Sequence, residues 1–180
     1  MVYMFLANGF EEIEALYTLD LLRRAGIEVK TVGVNGKTAT GSHQIPVICD
    51  ITESEASLDD DFDMIILPGG MPGSTNLDNS SVVDSFITKA NSEGKMICAI
   101  CAAPFILGKR GLLKGKRATC FPGFEDQLLG AEIVDAGCVR DGSIITGRAM
   151  GAAHEFALEI LSALAGDEVA QGMKKSILLK

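Results

Sequence analysis

The chain has 180 residues, 47 % of them apolar and 22 % charged, an ordinary globular composition with enough apolar side chains for one sizeable core. Lys and Arg total 16 and Asp and Glu 24, so the net charge is −8, which argues against nucleic acid or an anionic membrane surface as partner. There is no tract of about 18 continuous apolar residues, and the apolar N-terminus lacks the basic start and the length of a signal peptide, so a cytoplasmic protein is expected.

Strand and helix patterns alternate along the chain. Residues 2–7 are a continuous apolar run, the pattern of a parallel strand buried on both faces. Behind it Ile13, Leu16, Leu19 and Leu22 recur every third residue and predict a helix closed by Gly26. "EVKTVGV" reads as the next strand. Residues 35–60, richer in Gly, Thr, Ser and Asp, read as short strands and loops with a hairpin around "QIPVICDI". "FDMIILPGG" is the clearest strand and ends at Pro68, Gly69 and Gly70. "SSVVDSFITKANSEG" predicts a helix capped by Ser80 or Ser81, with Val83, Phe86, Ile87 and Ala90 on its buried face.

"KMICAI" reads as a strand and "APFILGKRG" as a short helix. "KRATCF" is a further strand, "FEDQLLG" a helical turn, and "AEIVDAGCVRDGSIITG" a strand, a turn at Asp141–Gly142 and a strand. "GAAHEFALEILSALAG" predicts a long helix ended by Gly166, and a short helix capped by Asp167 follows. The alternation predicts an α/β fold with a largely parallel sheet. With no repeat, low-complexity tract or dividing linker, residues 1–180 read as a single domain.

In an open parallel sheet, functional groups collect at the carboxyl ends of the strands. Those exits carry Glu11, Glu12 and Glu14, then "PGGMPGS", then Cys101, then Cys120 and Pro122, then Arg148. Cys101 sits where an apolar strand turns into a helix, between Ile100 and a run of alanines, like the nucleophile elbow of hydrolases. A helix start favours thiolate over thiol; the alternative is a buried structural cysteine. The spacing Cys98–Cys101 also spells a metal or redox pair, but a Cys98 inside the strand points away from the cleft, and no second ligand pair exists for zinc. With five cysteines, an odd count, free thiols are expected.

The glycine loop lacks the Lys of a phosphate loop. It reads either as a tight turn or as an oxyanion site in which Gly70 or its neighbour presents a backbone N–H. Glu11 and Glu12 suit the first turn of a helix. Glu14, one turn on and tucked against the sheet edge, would be pushed toward its protonated form by desolvation and could donate a hydrogen bond to a thiolate. His43 reads as exposed and His154 as a packing residue, so no Cys–His dyad is visible.

"GFEEIEA", "LLRRAGI", "ILPGG", "AICAAP", "ATCFPGFED" and "GRAMG…EFALEIL", in that order, resemble the ThiJ/PfpI family, within it the branch of the Parkinson-disease-associated protein deglycase. The resemblance implies a flavodoxin-like three-layer sandwich and a homodimer. It implies Cys101 as an oxidation-sensitive nucleophile and Glu14 as the protonated carboxyl beside it. Gly69, Gly70 and the N–H of Ala102 match the oxyanion pocket, and Arg24 matches an Arg at its rim. It also implies cofactor-free, metal-free chemistry on small dicarbonyls such as methylglyoxal or on their adducts, with a non-enzymatic redox sensor or chaperone as the alternative. Two positions depart from the family's patterns. Ala102 stands where the protease-like branch has His, and Cys120 stands where the closer branch has a His near the nucleophile. Cys120 then becomes a pocket wall and a possible partner thiol.

Overall fold

The computed structural model describes residues 1–179. Its elements are β1 (Val2–Leu6), α1 (Glu12–Arg24), β2 (Val29–Gly33), β3 (Thr38–Thr40), β4 (Pro46–Ile48), β5 (Ile51–Thr52), β6 (Met64–Leu67), α2 (Gly73–Asp78), α3 (Ser81–Ser92), β7 (Met96–Ile100), α4 (Pro104–Lys109), β8 (Arg117–Ala118), β9 (Glu132–Ile133), β10 (Cys138–Asp141), β11 (Ile144–Gly147), α5 (Ala153–Ala165) and α6 (Asp167–Ser176).

Seven strands form the main sheet in the order β10-β11-β7-β6-β1-β2-β5. All neighbours are parallel except β10, which folds back on β11. Setting aside the two edge strands, the order is that of flavodoxin-like sheets. Alternation along β1 divides the core into two layers. Tyr3 and Phe5 pack with Val83, Phe86, Ile87, Phe105 and Ile106 of α3 and α4. Val2, Met4 and Leu6 pack with Ala15, Leu19, Leu22, Phe156 and Ile160 of α1 and α5. Helices therefore cover both faces, which is why the three central strands β1, β6 and β7 are apolar throughout. On the first face Tyr3, Phe5, Phe62 and Phe86 form a cluster of tilted and edge-on rings.

Three details differ from the sequence reading. Ile13 does not line the buried face of α1; it is 48 % exposed. A spacing of three drifts backward around a helix, so Ile13 and Leu22 lie about 180° apart. The face against the sheet is Glu14, Ala15, Thr18, Leu19 and Leu22. The hairpin is β3 with β4, turning at residues 41–45, while Ile51 and Thr52 join the main sheet beside β2. Asp167 is the first residue of α6 rather than its cap, a place taken by Gly166. The cap of α3 is Ser80, whose hydroxyl accepts the Val83 N–H at 3.2 Å.

Candidate active site

Four strand exits meet around Cys101. It follows β7 directly, with φ at 66°, the left-handed conformation that a side chain disfavours. Backbone bonds hold it from both sides. Its N–H donates to the Gly147 carbonyl after β11 at 2.9 Å, and its carbonyl accepts the Phe121 N–H after β8 at 2.8 Å. The turn is small-residue backbone until Pro104 starts α4. Cys101 is half-buried and packs on the α1/α5 layer, and Cys98 is fully buried in the same layer, near Cys138 rather than Glu14.

Glu14 comes to this place because α1 starts just beyond β1. Glu11 caps the helix, its carboxylate accepting the Glu14 N–H at 2.7 Å. Glu14 is 1 % exposed. Its Oε2 accepts the Gly69 N–H at 3.0 Å. Its Oε1 is buried without a well-formed hydrogen bond, although the Cys101 sulfur and the Met150 amide approach the carboxyl. Burial pushes Glu14 up to about 7, opposed by the Cys101 thiol and helped by the charge of Glu11.

Burial and the facing Glu14 carboxylate push the Cys101 thiol up to about 12, against the Gly70 and Ala102 amides, which favour the thiolate. The thiolate expected from a helix start is therefore not present while Glu14 is ionised. The helix α4 is six residues long and begins beyond the sulfur, too far and too short to override a carboxylate. Once Glu14 holds the proton, the repulsion is gone and its O–H can donate to the sulfur. The two groups are thus coupled, the charge of each raising the proton affinity of the other.

Cys120 immediately precedes Phe121, whose N–H holds the Cys101 carbonyl, but its side chain enters the layer opposite to that of Cys101. Its thiol packs into the α3/α4 layer and lines a small cavity of about 240 Å³ with Thr119, Glu125, Asp135 and Arg148. Burial and Glu125 push it up to about 11, with Arg148 pulling the other way. Arg148 is ion-paired with Asp135. Arg24 is not brought to Cys101. It sits at the opposite end of α1 from Glu14, about 15 Å along the axis, where it is exposed and pairs with Asp20 at 2.6 Å.

One constellation was not legible in the sequence. Glu12 is 3 % exposed, and its carboxylate accepts the His43 N–H at 2.6 Å, with His43 Nδ1 at 2.9 Å and the Ser42 hydroxyl at 3.2 Å. It ties the β3–β4 hairpin to α1 beside the site. With Glu11 these groups put possible metal-ligating atoms within 4.8 Å of one another, but the Glu12 oxygens already hold the hairpin. No signal in the sequence pairs residues 12 and 43; each alone looks like surface.

This arrangement, a strained Cys on a parallel-sheet exit facing a buried Glu, extends to the whole chain. Residues 1–163 match the DJ-1/PfpI family model. The chain belongs to the DJ-1/PfpI family. It is 40 % identical over 177 residues to protein dj-1beta of Drosophila melanogaster, covering 97 % of this chain and 94 % of that protein. Deglycase PH1704 of Pyrococcus horikoshii is 37 % identical over 145 residues, 79 % of this chain and 86 % of that protein. Among solved structures, a DJ-1 superfamily protein from Salmonella typhimurium superposes with a TM-score of 0.94 at 37 % identity, covering 99 % of this chain and 98 % of that one. No helix among the described residues is long and apolar enough to cross a membrane.

Proposed function

We propose that this DJ-1/PfpI family member is a cytoplasmic carbonyl-stress enzyme, a cofactor-independent glyoxalase or deglycase acting on methylglyoxal-like dicarbonyls or their adducts. The observation that carries this reading is the buried Glu14 carboxyl, held by the Gly69 N–H at 3.0 Å against the Cys101 turn, with the Gly70 and Ala102 amides directed at the Cys101 sulfur. The deglycase names of archaeal relatives and the free state of all five cysteines are consistent with it.

Glu14, ionised near neutrality, takes the Cys101 proton as the sulfur adds to the aldehyde carbon of the dicarbonyl. The aldehyde oxygen becomes an oxyanion held by backbone N–H groups, then takes the same proton back from Glu14 to give a hemithioacetal and leave Glu14 ionised again. Glu14 then moves the proton from the former aldehyde carbon to the neighbouring carbonyl carbon through an enediol, leaving a thioester. Water cleaves the thioester, so that methylglyoxal plus water becomes lactate and the thiol is restored. Cofactor and metal have no step in this sequence.

The test follows lactate from methylglyoxal with wild type, Cys101→Ser and Glu14→Gln. The reading expects turnover in wild type and its loss in both variants. Wild-type turnover no higher than that of Cys101→Ser would reject it. In that case the redox-sensor reading gains, favoured by the half-exposed sulfur between two amide donors, which would also stabilise a sulfinate. Peroxide titration with peptide mass mapping would then show Cys101 oxidised ahead of the other four thiols.

The same reading carries a homodimer. Its support is the apolar surface of Ile13, Ile45, Ile48 and Met150, exposed on segments that the Glu12–His43 contact and the approach of Met150 to Glu14 tie together. Sedimentation of wild type and Ile48→Asp tests it, with dissociation expected in the variant.

A further inference from the structure

The two amides that face Cys101 are each followed by a helix of only six residues. The Ser74 N–H of α2 donates to the Gly70 carbonyl at 2.9 Å, and the Phe105 N–H of α4 donates to the Ala102 carbonyl at 3.1 Å. Helices this short do not hold themselves in place. Their far ends are joined by Asp78, the last residue of α2, whose side chain is 8 % exposed. Its Oδ1 accepts Arg110 Nη1 at 2.7 Å, and its Oδ2 accepts the Lys109 ammonium at the end of α4. Arg110 is seated twice more, donating from Nη1 to the Ile106 carbonyl of α4 at 2.9 Å and from Nε to Asp84 of α3 at 2.8 Å. Burial disfavours the Asp78 charge, yet Lys109 and Arg110 hold the carboxyl below its ordinary value.

We propose that Asp78 is a positioning residue that bolts α2 to α4 through Arg110 and so fixes the spacing of the Gly70 and Ala102 amides across the Cys101 sulfur. The glycine loop and the cysteine turn come from different strands, β6 and β7. Backbone bonds seat each turn on its own neighbours, the glycine loop on residues 9–11 and the cysteine turn on Gly147 and Phe121, whereas this clamp ties the two helices directly to one another. The effect on turnover rests on the dicarbonyl reading, whereas the effect on sulfur reactivity does not.

The test is the pH profile of Cys101 alkylation by iodoacetamide, read at peptide level by mass spectrometry, in wild type, Asp78→Asn, Asp78→Ala and Arg110→Ala. Loosened amides support the thiolate less, so alkylation at neutral pH should slow by about tenfold in Asp78→Ala and Arg110→Ala, and by less in Asp78→Asn, which still accepts a hydrogen bond. The profile should shift to higher pH. The double variant Asp78→Ala/Arg110→Ala should be no slower than either single one. With methylglyoxal, kcat should fall while KM stays within about twofold. Profiles that superimpose on wild type overturn the proposal, even if the melting temperature falls. If Asp78→Ala does not fold, Asp78→Asn and Arg110→Lys decide by the same measure. If wild type makes no lactate, the dicarbonyl reading fails alone, and alkylation still decides the role of Asp78.

Discussion

A side-chain carbon placed on Gly69 would stand 2.5 Å from Cys101 Cβ and 2.5 Å from Glu14 Oε2. Gly69 is thus the gap through which the carboxyl and the cysteine turn approach one another, and its own N–H anchors Glu14 at 3.0 Å. Cys101 Cβ and the Ile100 carbonyl oxygen, 2.8 Å from the same point, are fixed by the main chain, so the buried Glu14 carboxyl would be the group displaced. Gly69→Ala should cost about 1–3 kcal/mol of stability through overpacking. It should also lower activity by about 100-fold by displacing the reacting groups. Thermal unfolding and steady-state kinetics check the two effects separately. A variant with wild-type kinetics would show that the close approach has no part in catalysis.

The strain at Cys101 can be read by comparing two substitutions that both remove the sulfur. With φ at 66°, alanine keeps the steric cost of the left-handed conformation and glycine does not. Cys101→Gly should therefore be more stable than Cys101→Ala by about 1 kcal/mol, after glycine's greater freedom in the unfolded chain is counted against it. At an ordinary backbone position the order would be reversed. Urea denaturation of the two variants gives the sign directly.

What the sequence disclosed follows the range of the interaction. The Ser80 cap and the Val83, Phe86, Ile87, Ala90 face are local, set within one helix, and were legible. The elbow at Cys101 was legible because a run of apolar residues ends abruptly in alanines and Pro104. The buried face of α1 was misjudged at Ile13 because a three-residue repeat looks helical while drifting round the axis. The helix α2 was hidden in "PGGMPGSTNLD", where glycine and proline signal turns. The Glu12–His43 tie and the Asp78 clamp join residues about 30 apart and leave no local trace. Arg24, taken from the resemblance, shares a helix with Glu14 but not an end of it.

The tie between Glu12 and His43 should give the β3–β4 hairpin its own pH dependence. Burial works against the Glu12 charge, but hydrogen bonds from His43 outweigh it and lower its value from 4.5. The stability this contributes is present above 4.5 and lost as pH falls through the lower folded value. The Glu12 hydrogen bond and charge raise His43 from 6.5, so its contribution is present below 6.5 and lost as pH rises through the raised value. Amide exchange protection at residues 38–48 should therefore peak between these limits. Glu12→Gln should flatten the profile, leaving the protection of β6 and β7 unchanged. Equal loss across the sheet would mean that the tie holds more than the hairpin.

Glu14 should make the protein less stable as it becomes more reactive. Its value rises from 4.5 in the unfolded chain to about 7 in the fold, chiefly through burial. The folded state thus binds the Glu14 proton more tightly, and stability is fully present below 4.5 and lost as pH rises through about 7. The full span corresponds to about 3 kcal/mol, at about 1.4 kcal/mol per pH unit. Glu14→Gln keeps the shape and the acceptor for Gly69 N–H but carries no charge. It should match wild type in stability at pH 4.5 and exceed it by about 2–3 kcal/mol at pH 8, while losing proton transfer at Cys101. Denaturant midpoints at the two pH values measure this. If the variant gains equally at both, the extra stability does not come from a buried charge, and the proton transfer proposed between Glu14 and Cys101 loses its basis.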